Sequence, residues 1–366
     1  MEQNILVDIS RAKAAAVGTE HGVTPEELGG IEERVLQAHA VLQQQRAERK
    51  YGFFDLYKDT AMWQVVKEKA ARFARNGCEN LVVLGIGGSA LGITALHTAL
   101  NPSYYNLLSK GGRKRRPRLF VMDNIDPMTF RAMLRLCPPQ KTLFNVISKS
   151  GETAETMAQL IIVVEILERK LGKDALKDHL VVTTSPKGEE APKSLLHPVA
   201  EAYGLTSFAI PLNVGGRFSV FSPVGMFPAA MLGMDLDAMA AGCAAMDARC
   251  SQASLYENPA YLRAAVQYLL DTRKGKTMTV MMPYADSLRD VADWFRQLWA
   301  ESLGKRLNLD GEEVYVGQTP IKALGVTDQH SQVQLYREGP NNKVFTMLEV
   351  GRFDKTVRIP DTLQQV

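Results

Sequence analysis

The chain has 366 residues, enough for two domains of ordinary size, each with its own core. Its 43 Lys and Arg stand against 40 Asp and Glu, a formal charge of +3, so no global field draws it to nucleic acid or to an anionic membrane. Any recognition of an anion must be local. Cys78, Cys137, Cys243 and Cys250 form no C-x-x-C pair and have no disulfide-framework spacing, which fits a reducing cytoplasm. The start "MEQNILVDISRAKAAA" carries acids where a secretory signal is basic, and "LIIVVEIL" is too short and too charged to span a bilayer. A cytoplasmic chain with no membrane or nucleic-acid partner is expected.

From Thr24 to Arg75 the text is helix-like, with Thr24 as N-cap, Pro25 in the first turn and Glu27 at the capping-box position. This predicts an N-terminal helical arm over residues 1–75. "NLVVLGIGGSALGITALHTAL" then gives an apolar strand, a glycine turn and an apolar helix, the pattern of a buried parallel strand in a βα unit. "RLFVMDN", "LFNVISKSGETAETMAQLIIVVEIL", "HLVVTTSP" and "KTMTVMMPYADSLRDVADWFRQLWAESLG" repeat it, which predicts a doubly wound α/β fold. The Pro- and Gly-rich "AIPLNVGGRFSVFSPVGMFPAAMLG" interrupts the pattern and places a boundary near residue 205, dividing a unit of 76–205 from one of 206–366. The basic run "KGGRKRRPR", Lys110 to Arg118, has no interleaved aromatics and reads as a solvated loop.

In an open α/β sheet, ligands bind outside the carboxyl ends of the strands, where backbone N–H groups open the next helix. Gly85, Gly87 and Ala90 have the G-x-G-x-x-A spacing of a dinucleotide turn, although Asp123 lies farther on than the usual ~20 residues. A structural tight turn is the alternative. In "NVISKSGETAET", Ser148, Lys149, Ser150 and Thr153 put three hydroxyls and an ammonium around a helix start, the donor set a phosphate monoester requires; Ser89 is a fifth donor. Simple capping by Ser150 or Thr153 is the competing reading. Gly215 and Gly216 allow close backbone approach, Arg217 offers a planar donor fork for a developing oxyanion, with a surface salt bridge as the alternative, and Ser222 with Pro223 marks a helix start. Trp294, Leu298 and Glu301 share one helix face, where burial would push the Glu301 carboxyl toward general-base range; a surface pair with Lys305 is the alternative. His330 is read in a polar turn before an alternating strand.

"GIGGSALG", "SKSGETAET", "GGRFSVFSPVG", "FRQLWAESLGK" and "GVTDQHSQVQLYREGP" together resemble the glucose-6-phosphate isomerase family, in its order, from about residue 80 to 340. The resemblance implies two sugar-isomerase (SIS) domains, three-layer αβα sandwiches with mainly parallel sheets, in a homodimer with shared active sites. It implies interconversion of glucose 6-phosphate and fructose 6-phosphate through a cis-enediol, with no metal or other cofactor. Ser89, Ser148, Lys149, Ser150 and Thr153 would cradle the phosphate, and the backbone of Gly87, Gly88 and Gly216 would approach the substrate. Glu301 would move the proton between C2 and C1, Arg217 would stabilise the enediolate, and His330 would assist ring opening from the neighbouring subunit. The text contains no H-x-H, H-E-x-x-H or Cys/His cluster of ligand spacing. The family's later segment, with its ring-opening lysine, is absent after "IPDTLQQV", so a truncated second sandwich is expected, and Lys305 is not a substitute for that lysine. The rivals are a non-catalytic phosphosugar-sensing module, an NAD-dependent oxidoreductase, and an isomerase that also accepts mannose 6-phosphate.

Overall fold

A computed structural model describes residues 5–188, 193–353 and 355–360, so most of the terminal "IPDTLQQV" lies outside the described residues. Five strands, β1 (Asn80–Leu84), β2 (Arg118–Met122), β3 (Thr142–Ile147), β4 (Leu180–Thr184) and β5 (Thr206–Ala209), form a parallel sheet in the order β2-β1-β3-β4-β5. β5 lies past the expected boundary at residue 205 and completes this first sheet.

Every residue of β1, β3 and β4 is buried, as a parallel sheet covered on both faces requires. Alternation assigns their side chains to two layers. Leu81, Val83 and Leu143 pack with Trp63, Val66 and Phe73 of the helix Thr60–Arg75 and with Met226, Phe227 and Met231 of Pro223–Met231. Val82, Leu84, Phe144 and Val146 pack against Phe130, Met133, Leu160, Val163 and Leu167. Each such side chain contributes about 1.5–3 kcal/mol of burial, so both helical layers are needed to hold the sheet.

The second half contains β6 (Met278–Pro283), the antiparallel pair β7 (Lys305–Leu307) and β8 (Glu313–Val316), then β9 (Thr319–Lys322) and β10 (Lys343–Leu348). Here the parallel order is β10-β6-β9. The expected α/β class with mainly parallel sheets is what the structure shows. The helix Pro259–Lys274 carries Ala265, Val266, Leu269 and Leu270 onto Val23, Leu28 and Ile31, so the amino-terminal residues cover the second half. The Thr24 capping box forms: its hydroxyl accepts from the Glu27 N–H at 3.2 Å, and the Glu27 carboxylate accepts from the Thr24 N–H at 2.9 Å. One local expectation is corrected: residues after His330 form the helix Val333–Glu338, not an alternating strand. Over six residues, periods of 2 and 3.6 are nearly indistinguishable; in the helix Tyr336 packs edge-on against Phe345.

Candidate active site

The strand order reverses between β1 and β3, and a crevice opens at such a switch point outside the strands' carboxyl ends. The two loops singled out from the sequence are the ones that follow these two strands. In the β3 loop, Ser148 is only 2% exposed; its Oγ accepts from the Gly151 N–H at 3.1 Å and lies 3.1 Å from Thr153 Oγ1. Ser150 Oγ accepts from the Glu152 N–H at 3.1 Å. Thr153 occupies the N-cap position of the helix Ala154–Leu171, yet its side chain makes no capping bond. That leaves the helix start open to an external acceptor. Gly151 has φ +71°, and a Cβ there would meet the Leu195 nitrogen at 2.7 Å, so only glycine fits this turn.

Lys149 Nζ donates to the carbonyls of Leu212 and Val214 at 2.8 and 2.9 Å. Its partners are dipoles rather than a carboxylate, and burial pulls its pKa below the ordinary lysine value. Among the described residues no carboxylate pairs with this ammonium, and an incoming dianion would supply a counter-charge. The same contacts tie the β3 loop to the segment leading into Gly215 and Gly216.

That segment meets the β1 loop backbone to backbone. A Cβ on Gly88 would lie 2.2 Å from the Gly216 carbonyl and 2.6 Å from the Arg217 nitrogen. Gly87 has φ +58° and faces the Gln297 amide, 3.0 Å from where its Cβ would be. Ser89, partly buried, donates its N–H to the Ile86 carbonyl at 3.1 Å. Ser222 caps the helix Pro223–Met231 with Pro223 at its first position, which fixes where the Arg217 turn ends.

Arg217 and Glu301 come together across this junction. The helix Arg289–Leu303 packs on Leu91–Leu100, the helix after the β1 loop, and Trp294 Nε1 donates to the Arg217 carbonyl at 3.2 Å. Arg217 Nη1 lies 3.3 Å from Glu301 Oε2, its Nε donates to Ser302 Oγ at 3.0 Å, and its guanidinium stacks 4.6 Å above the Phe218 ring. Gln297 Nε2 donates to Glu301 Oε1 at 2.8 Å. The expected desolvation of Glu301 is corrected: its side chain is 49% exposed, and the Trp294 indole donates to the Arg217 carbonyl. Lys305 reaches only the Glu301 backbone carbonyl, at 3.3 Å, so the alternative surface pair does not form.

His330 is separate. It lies exposed on the short helix Thr327–Ser331 and has no hydrogen bond or ion pair to Arg217 or Glu301. Asp123 is exposed beyond the end of β2. Two contacts escaped the sequence reading: Gln297, which orients Glu301 and touches Gly87, and Ser302, which holds Arg217. The Gln297–Glu301 spacing of i, i+4 was a usable signal for the first; Ser302 carried none.

Residues 64–347 match the family model described as phosphoglucose isomerase. A glucose-6-phosphate isomerase of Carboxydothermus hydrogenoformans is 49% identical over 342 residues, 93% of this chain and 71% of that protein. One of Rubrobacter xylanophilus is 41% identical, covering 95% and 76%. Among solved structures, a hypothetical protein of Thermus thermophilus superposes with a TM-score of 0.78 at 37% identity, over 93% of this chain and 77% of that one. A glucose-6-phosphate isomerase of Chlamydia trachomatis shares the fold with a TM-score of 0.71 at 24% identity, over 88% and 65%. With a matching model over most of its length and relatives of this identity, the chain belongs to the phosphoglucose isomerase family.

Proposed function

We propose that the crevice at the β1–β3 switch point divides the family's reaction between a phosphate-binding loop and a proton-transfer pair. The chain is an aldose–ketose isomerase of glucose 6-phosphate and fructose 6-phosphate, as its family and the names of its relatives establish. Ser89, Ser148, Lys149, Ser150 and Thr153 bind the phosphate; the uncapped helix start and an ammonium held by two main-chain carbonyls support this. The backbone of Gly87, Gly88 and Gly216 forms the floor against which the sugar lies.

The observation that carries the reading is the Arg217–Glu301 contact at the mouth of these loops. Glu301 takes the C2 proton of the open-chain aldose and returns it to C1, while the negative charge that develops on the enediolate oxygens faces the Arg217 fork. Gln297 occupies Oε1, so Oε2 carries the proton once it moves off the Arg217 Nη1 that it faces at 3.3 Å. His330 serves ring opening in the crevice of a second copy, a role its exposure and its separation from Glu301 support, and the enzyme works as a cytoplasmic homodimer. The test is the variant Glu301→Gln, assayed by solvent deuterium incorporation at C1 and C2. Turnover and exchange should fall together by about 10²- to 10⁴-fold, with inhibition by phosphorylated sugar acids retained. Exchange at the unmodified rate would remove Glu301 from the chemistry.

A further inference from the structure

At the opposite end of the first sheet, the amino ends of β1 and β3 flank a cavity of about 590 Å³. That volume is in the range of sites for small metabolites. Its walls combine the donors Arg72, Asn76, Gln140 and Lys141 with the Asp178 carboxylate and with the apolar Phe73 and Leu143. Arg72 is held by Asp178 at 3.1 Å. Lys141 has only a share in Glu79, whose carboxylate lies 3.3 Å from it and 3.4 Å from Lys110. One carboxylate thus serves two ammoniums. His179 Nδ1 donates to the Thr142 carbonyl at 2.9 Å, which fixes the ring in the cavity wall. Lys110 also opens the basic run that ends at Arg118, six cations with no acid among them. Of these, Lys110 reaches the cavity's edge through the Glu79 carboxylate that it shares with Lys141, and it adds positive charge there.

We propose that this cavity binds a small polyanion carrying two or more phosphate or carboxylate groups, at a site separate from the crevice where the sugar phosphate sits. One charged group meets Lys141, and the amides of Asn76 and Gln140 supply neutral donors to its remaining oxygens. The second group lies toward Lys110 and the basic run. None of these residues takes part in the isomerisation assigned to Glu301 and Arg217.

The test is calorimetric titration of the full chain with tripolyphosphate, and separately with citrate, while a saturating phosphorylated sugar acid fills the crevice. One site per chain is expected, and Lys141→Glu should weaken it by at least about tenfold, the worth of one charge-assisted contact. Its turnover without polyanion should stay unchanged. Because Cys78 lines the cavity, its alkylation, followed by peptide mass mapping, should slow on binding while that of Cys243 does not. Binding of tripolyphosphate alone supports a phosphate ligand, and binding of both supports either headgroup. Absence of binding by both anions, loss of binding once the crevice is filled, or equal affinity in Lys141→Glu overturns the proposal.

Discussion

The β3 loop and the Arg217–Glu301 pair reach one crevice by opposite means. The loop is set by its own backbone: Ser148, Ser150 and Gly151 bond within five residues, and Lys149 is anchored on main-chain carbonyls. The pair is set by side chains from elements more than eighty residues apart, held by an ion contact 3.3 Å long whose carboxylate is half exposed. A binding surface gains from rigidity before the ligand arrives, since ordering it then adds no cost on binding. An acid–base pair must let its carboxylate leave the guanidinium for a substrate proton, and a loose, solvated contact permits that.

This contrast can be broken from either side. Arg217→Lys keeps a charge but loses the fork, the Ser302 bond and the Phe218 stack, so kcat should fall about 10²- to 10³-fold with affinity little changed. A raised KM at constant kcat would instead place Arg217 in binding. Gly88→Ala inserts a methyl into the Gly216 carbonyl and separates the two halves; a displacement near 1 Å should lower kcat/KM by about 10²-fold. Steady-state kinetics beside circular dichroism would show whether the loss is local.

Smaller effects sharpen the comparison. Lys149→Ala and Thr153→Val should each weaken inhibition by a phosphorylated sugar acid about tenfold, with kcat nearly intact and no change for the unphosphorylated acid. The smallest effect on catalysis belongs to Asp247→Ala, remote from the crevice, where Arg46, Tyr57 and Asp247 join the arm to the helix Leu236–Cys250. Hydrogen bonding from Arg46 holds the Asp247 carboxyl down at about 2. The folded-state value is depressed, so this stabilisation is complete above the ordinary carboxylate pKa, and it is lost as pH falls through about 4 toward about 2. The variant should lose about 2 kcal/mol at pH 7 in denaturant titrations, converge with the parent in acid, and keep its kcat.

Local chemistry was legible where one segment carries it. The apolar runs of β1 and β3, the Thr24 box, the Ser222–Pro223 helix start and the hydroxyl loop could be read from short stretches because their partners are neighbours in sequence. What could not be read depends on pairs far apart. Lys149 finds its carbonyls more than sixty residues away, and Glu301 finds Arg217 more than eighty residues away. The same distance explains the Glu301 exposure. The face shared with Trp294 predicted burial, but the Trp294 indole bonds the Arg217 backbone, a partner that helix periodicity does not reveal.

The Gly88–Gly216 contact is unequal in its demands. A Cβ on Gly88 would strike main chain, whereas one on Gly216 would meet nothing within 4 Å. The two glycines are therefore constrained differently: the main-chain contact alone demands a glycine at 88, whereas only the proposed sugar in the space before it would demand one at 216. A descendant that lost catalysis and binding but kept its architecture would drift at residue 216 while residue 88 stayed fixed, so a side chain at 216 beside an intact 88 would mark the divergence of a scaffold from an enzyme.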